Sequence, residues 1–439
     1  MRDVTGRWWR SGRGGTRAGS RGPARRAACG LAAALLALQA ALTGCSALSG
    51  DDGGRDRALQ GALDRWAAAL RDRDENAFLA AVDPAADAYR AEQRRVFANL
   101  AAVPLAAWDY RLVRTGGFAP ERGDGGGRRV AAEAELRYRL AGYDGVPVTT
   151  RTRLTLVERG GRWYVAAETA PRGGGQLWQQ GPVTVVRGER SLVLGVGQDR
   201  ERLRALADLA DKAVPAVGAA WHAGPREWPG RVVVEMPASL ERMAALLDSP
   251  VSNYRGIAAV TTGEAGGTGA AAPADRIIVN PEAYGVLGEF GRRIVLTHET
   301  AHVATRARTT KATPLWLSEG FADWAAYRGT GRTARQAAPE LARAAAAGAL
   351  PRELPGDPDF GFAGEAGKLA RAYEEGWLAC RLIAERWSEE KLVAFYRAVG
   401  AHGHRDGAVE TALRNVLGIS PAEFTERWRT YVTEQLGSG

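Results

Sequence analysis

The segment VLTHETAHVAT, residues 295–305, constrains this chain more than any other stretch. The sequence of 439 residues contains five histidines, and two of them, His298 and His302, stand four apart here with Glu299 directly after the first. The flanking residues Ile294, Val295 and Val303 are apolar at helical spacing, so GEFGRRIVLTHETAHVATRA reads as a buried helix. Residues four apart on a helix share a face, with Cβ atoms about 5–6 Å apart. His298 and His302 can therefore both aim a ring nitrogen at one ion, at the about 2.0–2.1 Å that zinc requires. Glu299 lies about 100° further round the axis. It reaches a water in an open coordination position more easily than it shares the ion with both histidines. An unpartnered polar triplet on a buried helix would be costly.

Zinc held by two histidines needs a third protein ligand. Downstream stands TPLWLSEGFADWAAYRG, in which Thr313 and Pro314 mark a helix start and Gly329 a stop. The linker RTTKA is short enough to fold this second helix back on the first. Glu319 then supplies a carboxylate and completes a His, His, Glu set with one position left for water. Asp323, four residues on, shares the face of Glu319 and can accept the other ring N–H of a zinc histidine.

Together, THETAH and LWLSEGFADW resemble the gluzincin metallopeptidases, the group of thermolysin and the zinc aminopeptidases, and among them the peptidase-MA-like branch of bacterial exported proteins. RAYEEGWLACRLIAERW resembles the Tyr-x-x-Gly helix of the zinc aminopeptidases. The resemblance implies Zn2+ as cofactor, with His298, His302 and Glu319 as ligands and Asp323 supporting them. It makes Glu299 the general base toward a zinc-bound water, and Tyr373 a hydroxyl donor to the tetrahedral intermediate. It covers about residues 180–435 and implies hydrolysis of peptide bonds. No Gly-x-Met-Glu-Asn segment for gripping a free N-terminus precedes the zinc helix, which favours an endopeptidase. GIAAVTTG stands where the sheet edge is expected, and such an edge can hold an extended peptide by backbone hydrogen bonds.

The net charge of +9 does not indicate nucleic acid. Residues 1–44 hold eight arginines and one acid, so the rest of the chain carries only about +2. After these arginines comes a 12-residue, largely apolar run over 31–42, too short to span a bilayer and suited to a signal peptide. It ends in Leu-Thr-Gly-Cys, which resembles a bacterial lipobox with Cys45 as the lipidated residue. Residues 1–44 are therefore expected to be a lipoprotein signal, placing the protein on the extracytoplasmic face of the membrane. With Cys29 lost and Cys45 lipidated, only Cys380 remains, set among apolar residues as a core side chain.

Residues 45–55 read as a flexible tether. Over 56–170, helical spacing at Leu59, Leu63, Trp66 and Leu70 and a second helix near 87–100 precede four alternating, strand-like segments. This order resembles the nuclear-transport-factor-2-like α+β cone. PRGGGQ, residues 171–176, is the expected boundary. Residues 180–437 then read as a second α+β unit, a small mixed sheet followed by a mostly helical half with a thermolysin-like layout. His222, His402 and His404 fall outside the constellation, and His402 and His404 are expected as solvated loop residues. A competing reading is a non-catalytic envelope lipoprotein with a peptidase-like binding domain. Intact Glu299 speaks for the enzyme, since binding needs no general base.

Overall fold

The computed structural model describes residues 9–11, 49–123, 125–169, 175–222, 224, 227–262, 274–361 and 366–437. The apolar run over 31–42, Cys45 and most of the 171–176 boundary lie outside the described residues. Among those described, no helix is long and apolar enough to cross a membrane. The first described segment, β1 (Trp9–Ser11), joins the edge of a sheet far along the chain.

In α1 (Ser49–Arg71) the residues Leu59, Leu63, Trp66 and Leu70 form one buried stripe, as their spacing requires. The helix starts earlier than expected. Residues 49–55, read as tether, are its first turns, and Arg55 there reaches Thr115 Oγ1 of the adjoining sheet at 3.5 Å. Two further helices follow, α2 (Glu75–Ala80), capped by Asp74 accepting from Ala77 N at 2.9 Å, and α3 (Asp87–Asn99). They lie against an antiparallel sheet of β2 (Leu105–Thr115), β3 (Arg128–Leu140), β4 (Val148–Arg159) and β5 (Arg162–Thr169), ordered in sequence. Gly160 and Gly161 form the β4–β5 turn with φ of 56° and 76°, the left-handed pair that a two-residue hairpin of matching twist demands. Register shifts at Leu105/Ala107, Leu112/Arg114 and Thr155/Leu156 bend the sheet around α1.

A short helix, α4 (Leu177–Gln180), leads into the second sheet. Its strands are β6 (Val183–Arg187), β7 (Ser191–Val196), β8 (Val232–Met236), β9 (Ala259–Thr261) and β10 (Ile277–Val279), in the order β1-β9-β10-β8-β7-β6. Strands β7, β8 and β10 run parallel, while β6 and β9 are antiparallel to their neighbours β7 and β10. The sheet is thus mixed, as expected. Strands β7 and β8 are buried along their whole length because both faces are covered, which explains their unbroken apolar runs. On one face Val193, Val232 and Val234 meet α5 (Arg200–Trp221) and the helical half. On the other, Leu192, Leu194 and Val233 join the core of the first sheet, beside Trp108, Tyr138 and Trp178.

The remaining helices are α6 (Leu240–Leu246), α7 (Pro281–Gly285), α8 (Glu289–Thr305), α9 (Leu315–Tyr327), α10 (Ala334–Ala337), α11 (Pro339–Ala346), α12 (Ala366–Arg386), α13 (Glu389–Ala401), α14 (Ala408–Ala412) and α15 (Pro421–Leu436). Cys380 of α12 is a fully buried free thiol, and Trp316, Trp324 and Trp377 are buried packing residues.

An ion pair locks the two sheets together. Arg276, just before β10, donates to both carboxylate oxygens of Asp144 in the β3–β4 connection, each at 2.8 Å. Glu235 of β8 lies 3.6 Å from the same guanidinium, and all three side chains are buried. Removing one partner leaves a buried charge poorly compensated. Asp144→Ala is therefore expected to lower unfolding stability by about 3–5 kcal/mol, read from denaturant midpoints at fixed pH.

Candidate metal centre

Helix α8 is buried on every side from Ile294 to Thr305, so its polar residues must find partners inside the protein. His298 Nε2 and His302 Nε2 lie 3.0 Å apart. Glu319 of α9 brings Oε2 to 3.1 Å from His302 Nε2 and 3.3 Å from His298 Nε2. These three side chains form a buried cluster able to hold a metal ion. A tetrahedral ion with bonds of about 2.0–2.1 Å sets its ligand atoms about 3.3 Å apart. The observed triangle has nearly that size, so two imidazoles and a carboxylate fit zinc in both chemistry and dimension.

Behind the triangle, Asp323 Oδ1 meets His298 Nδ1 at 2.8 Å, one turn of α9 beyond Glu319. This fixes the ring and leaves Nε2 facing the cluster. Burial alone would lower the pKa of His298, but the charges of Asp323, then Glu319 and Glu299, outweigh it and raise it to about 10. Burial likewise pushes the Glu319 carboxyl upward, yet the two imidazoles against it win and hold it well below the usual range. A cation entering this site displaces protons, so metal uptake weakens as pH falls.

Glu299, about 100° further round α8, reaches the neighbouring strand. Thr261 of β9 donates its hydroxyl to Glu299 Oε2 at 2.6 Å and lies 3.1 Å from the Glu299 backbone oxygen. The second carboxylate oxygen, Oε1, is buried with no protein partner. Burial raises the Glu299 carboxyl above its ordinary pKa, against the pull of His298, His302 and the Thr261 hydroxyl. One oxygen is thus anchored and the other available to a water or substrate group.

Tyr373 of α12 also approaches the cluster, its ring centroid 6.5 Å from that of His298 and 5.2 Å from that of Phe360. Two glycines permit this approach. A Cβ on Gly320 of α9 would stand 2.3 Å from Gly376 O. One on Gly376 of α12 would stand 2.6 Å from Trp316 O. The helices therefore touch backbone to backbone one residue after Glu319 and three after Tyr373.

The structure thus brings together His298, Glu299, His302, Glu319, Asp323 and Tyr373. It leaves His222, His402 and His404 outside the cluster. Thr261 was not singled out from sequence, although it stands in the quoted GIAAVTTG. Nor was the Asp275–Arg306 pair, 2.8 Å apart and buried, which ties the end of α8 to the start of β10. Both depend on contacts between elements distant in sequence. The outer edge of β9, expected to be open, carries β1 in parallel.

No family model and no curated protein matches this chain. One similar solved structure is a two-domain M1 zinc metallopeptidase crystallised with L-arginine, with a TM-score of 0.30 and 16% identity. The match covers 69% of this chain and 61% of that one. Another is a SEC-C motif containing protein from Rhodopseudomonas palustris, solved in solution, with a TM-score of 0.17 and 20% identity. It covers 24% of this chain and 71% of that one. Both likenesses are too distant to assign a fold.

Two outcomes are expected from this geometry. In metal analysis of purified protein, Glu319→Ala loses stoichiometric zinc, and Asp323→Asn binds it about 10–100-fold more weakly. Gly376→Ala forces α9 and α12 apart and lowers stability by about 1–3 kcal/mol in chemical denaturation.

Proposed function

We propose that this chain is a zinc metallopeptidase, acting as an endopeptidase outside the cytoplasm and held at the membrane by lipid on Cys45. The convergence of His298, His302 and Glu319 from two helices, with the unpartnered Glu299 Oε1 beside them, carries this reading. Zinc, when bound, supplies Lewis acidity toward a carbonyl and makes water nucleophilic near neutral pH.

The chain's own residues divide the remaining work. Asp323 orients His298, and Thr261 pins one oxygen of Glu299 so that the other meets the attacking water. Glu299 takes a proton from that water and returns it to the leaving amine. The Tyr373 hydroxyl donates to the oxygen that gains charge at the tetrahedral stage. Loss of residues 1–44 on signal cleavage frees the β9 edge for an extended peptide, bound through backbone groups. Three helices against a bent four-stranded sheet support reading residues 56–170 as a nuclear-transport-factor-2-like accessory domain.

The test is an unbiased peptide library incubated with parent protein and with Glu299→Gln. Equal zinc in both, with cleavage reduced about 10²–10⁴-fold in the variant, is the expected result. Undiminished cleavage by Glu299→Gln would remove the proposed mechanism. Zinc binding without cleavage by the parent would favour a binding domain.

A further inference from the structure

The first sheet and its helices enclose a second concavity, remote in sequence from the metal cluster. It is open to solvent at one side and is walled by Phe78, Trp108, Tyr110 and Trp178 among other apolar groups. Such walls alone would suit any small apolar molecule. Two polar side chains on this lining make the site more selective. Gln93 of α3 is only 3% exposed, and none of its side-chain atoms has a hydrogen bond within the described protein. A buried amide without a partner is costly unless a ligand or water completes it. Glu168 of β5 also lines the pocket, with one oxygen accepting from Thr152 Oγ1 at 2.7 Å. No cation is paired with it among the ion pairs of the described residues. The one cationic residue on the lining, Arg151, keeps its side chain 71% exposed and lies 3.8 Å from Glu135.

We infer that this pocket binds a small organic amine, its apolar body among Trp108, Tyr110 and Trp178 and its ammonium on Glu168, with Gln93 completing the polar contacts. The electrostatics agree. Aromatic faces attract a cation, and a carboxylate that lacks a cationic partner gains most from one. Burial raises the pKa of Glu168, the neighbouring Glu92 adding to it, so an incoming cation stabilises the ionised form. An anionic ligand would meet the carboxylate, and a neutral one would leave it uncompensated. Gln176 and Trp178 line the pocket from α4 and the turn before it, which lead directly into β6. An occupied pocket therefore also braces the junction between the sheets.

The inference does not depend on peptidase activity and is tested apart from it. Purified protein is titrated calorimetrically with 2-phenylethylamine, and with 2-phenylethanol and 3-phenylpropionate as neutral and anionic counterparts of similar shape. Saturable one-site binding of the amine is expected, about tenfold or more tighter than either counterpart, unchanged by a zinc chelator. Glu168→Gln should weaken amine binding about tenfold while keeping the thermal midpoint, and Gln93→Leu should weaken it by a smaller factor. The proposal fails if the amine does not saturate, if the alcohol binds equally well, if Glu168→Gln retains full affinity, or if chelation abolishes binding. Should Glu168→Gln fold poorly, quenching of tryptophan fluorescence in the parent by the amine and not by the alcohol decides the question.

Discussion

The burial of three carboxylates and two imidazoles in one water-poor volume governs the helical half of this protein. Glu299, Glu319 and Asp323 would repel one another there, and each would resist ionisation if alone. Their arrangement offsets this cost. Asp323 is spent on one ring nitrogen of His298, Glu319 on the two imidazoles together, and Glu299 on a hydroxyl from the neighbouring strand. Each acid has a different partner, so each has a different proton affinity. Under the proposed function, that separation would suit similar groups on adjoining helices to distinct tasks, one holding an ion, one holding a ring and one exchanging protons.

Helix packing makes the arrangement rigid. Gly320 and Gly376 remove the side chains that would keep α9 and α12 apart, and the Asp275–Arg306 pair fastens the end of α8 to the sheet. Thr261 reaches Glu299 because β9, a strand of the second sheet, packs against α8. The groups that position the cluster are therefore drawn from strand, loop and helix alike, and a shift in any one of these elements is felt at the imidazoles.

How much of this could be read beforehand follows the range of the interaction. His298, Glu299 and His302 sit on one helix, where the 3.6-residue repeat dictates which face each occupies. Glu319 and Asp323 required only one further step, a short linker folding a second helix back. The strands of the first sheet were visible through alternation and their Gly-rich turns. Thr261, Gln93 and Glu168 were not, because a lone threonine or glutamine has no periodic signature and gains meaning only from what the fold sets opposite it. The early start of α1 escaped for a related reason: a Gly- and Asp-rich stretch has weak helical preference, and its contact with the sheet, Arg55 to Thr115, joins residues far apart in sequence.

The two-faced burial of β7 and β8 bears on how this protein can be divided. Leu192, Leu194 and Val233 look toward the first sheet, so an excised helical half beginning near residue 180 would present them as an oily plate to solvent. Arg276 would lose Asp144 in the same cut. Anyone shortening the chain would have to recolour that plate with polar side chains, or expect the fragment to pair with itself.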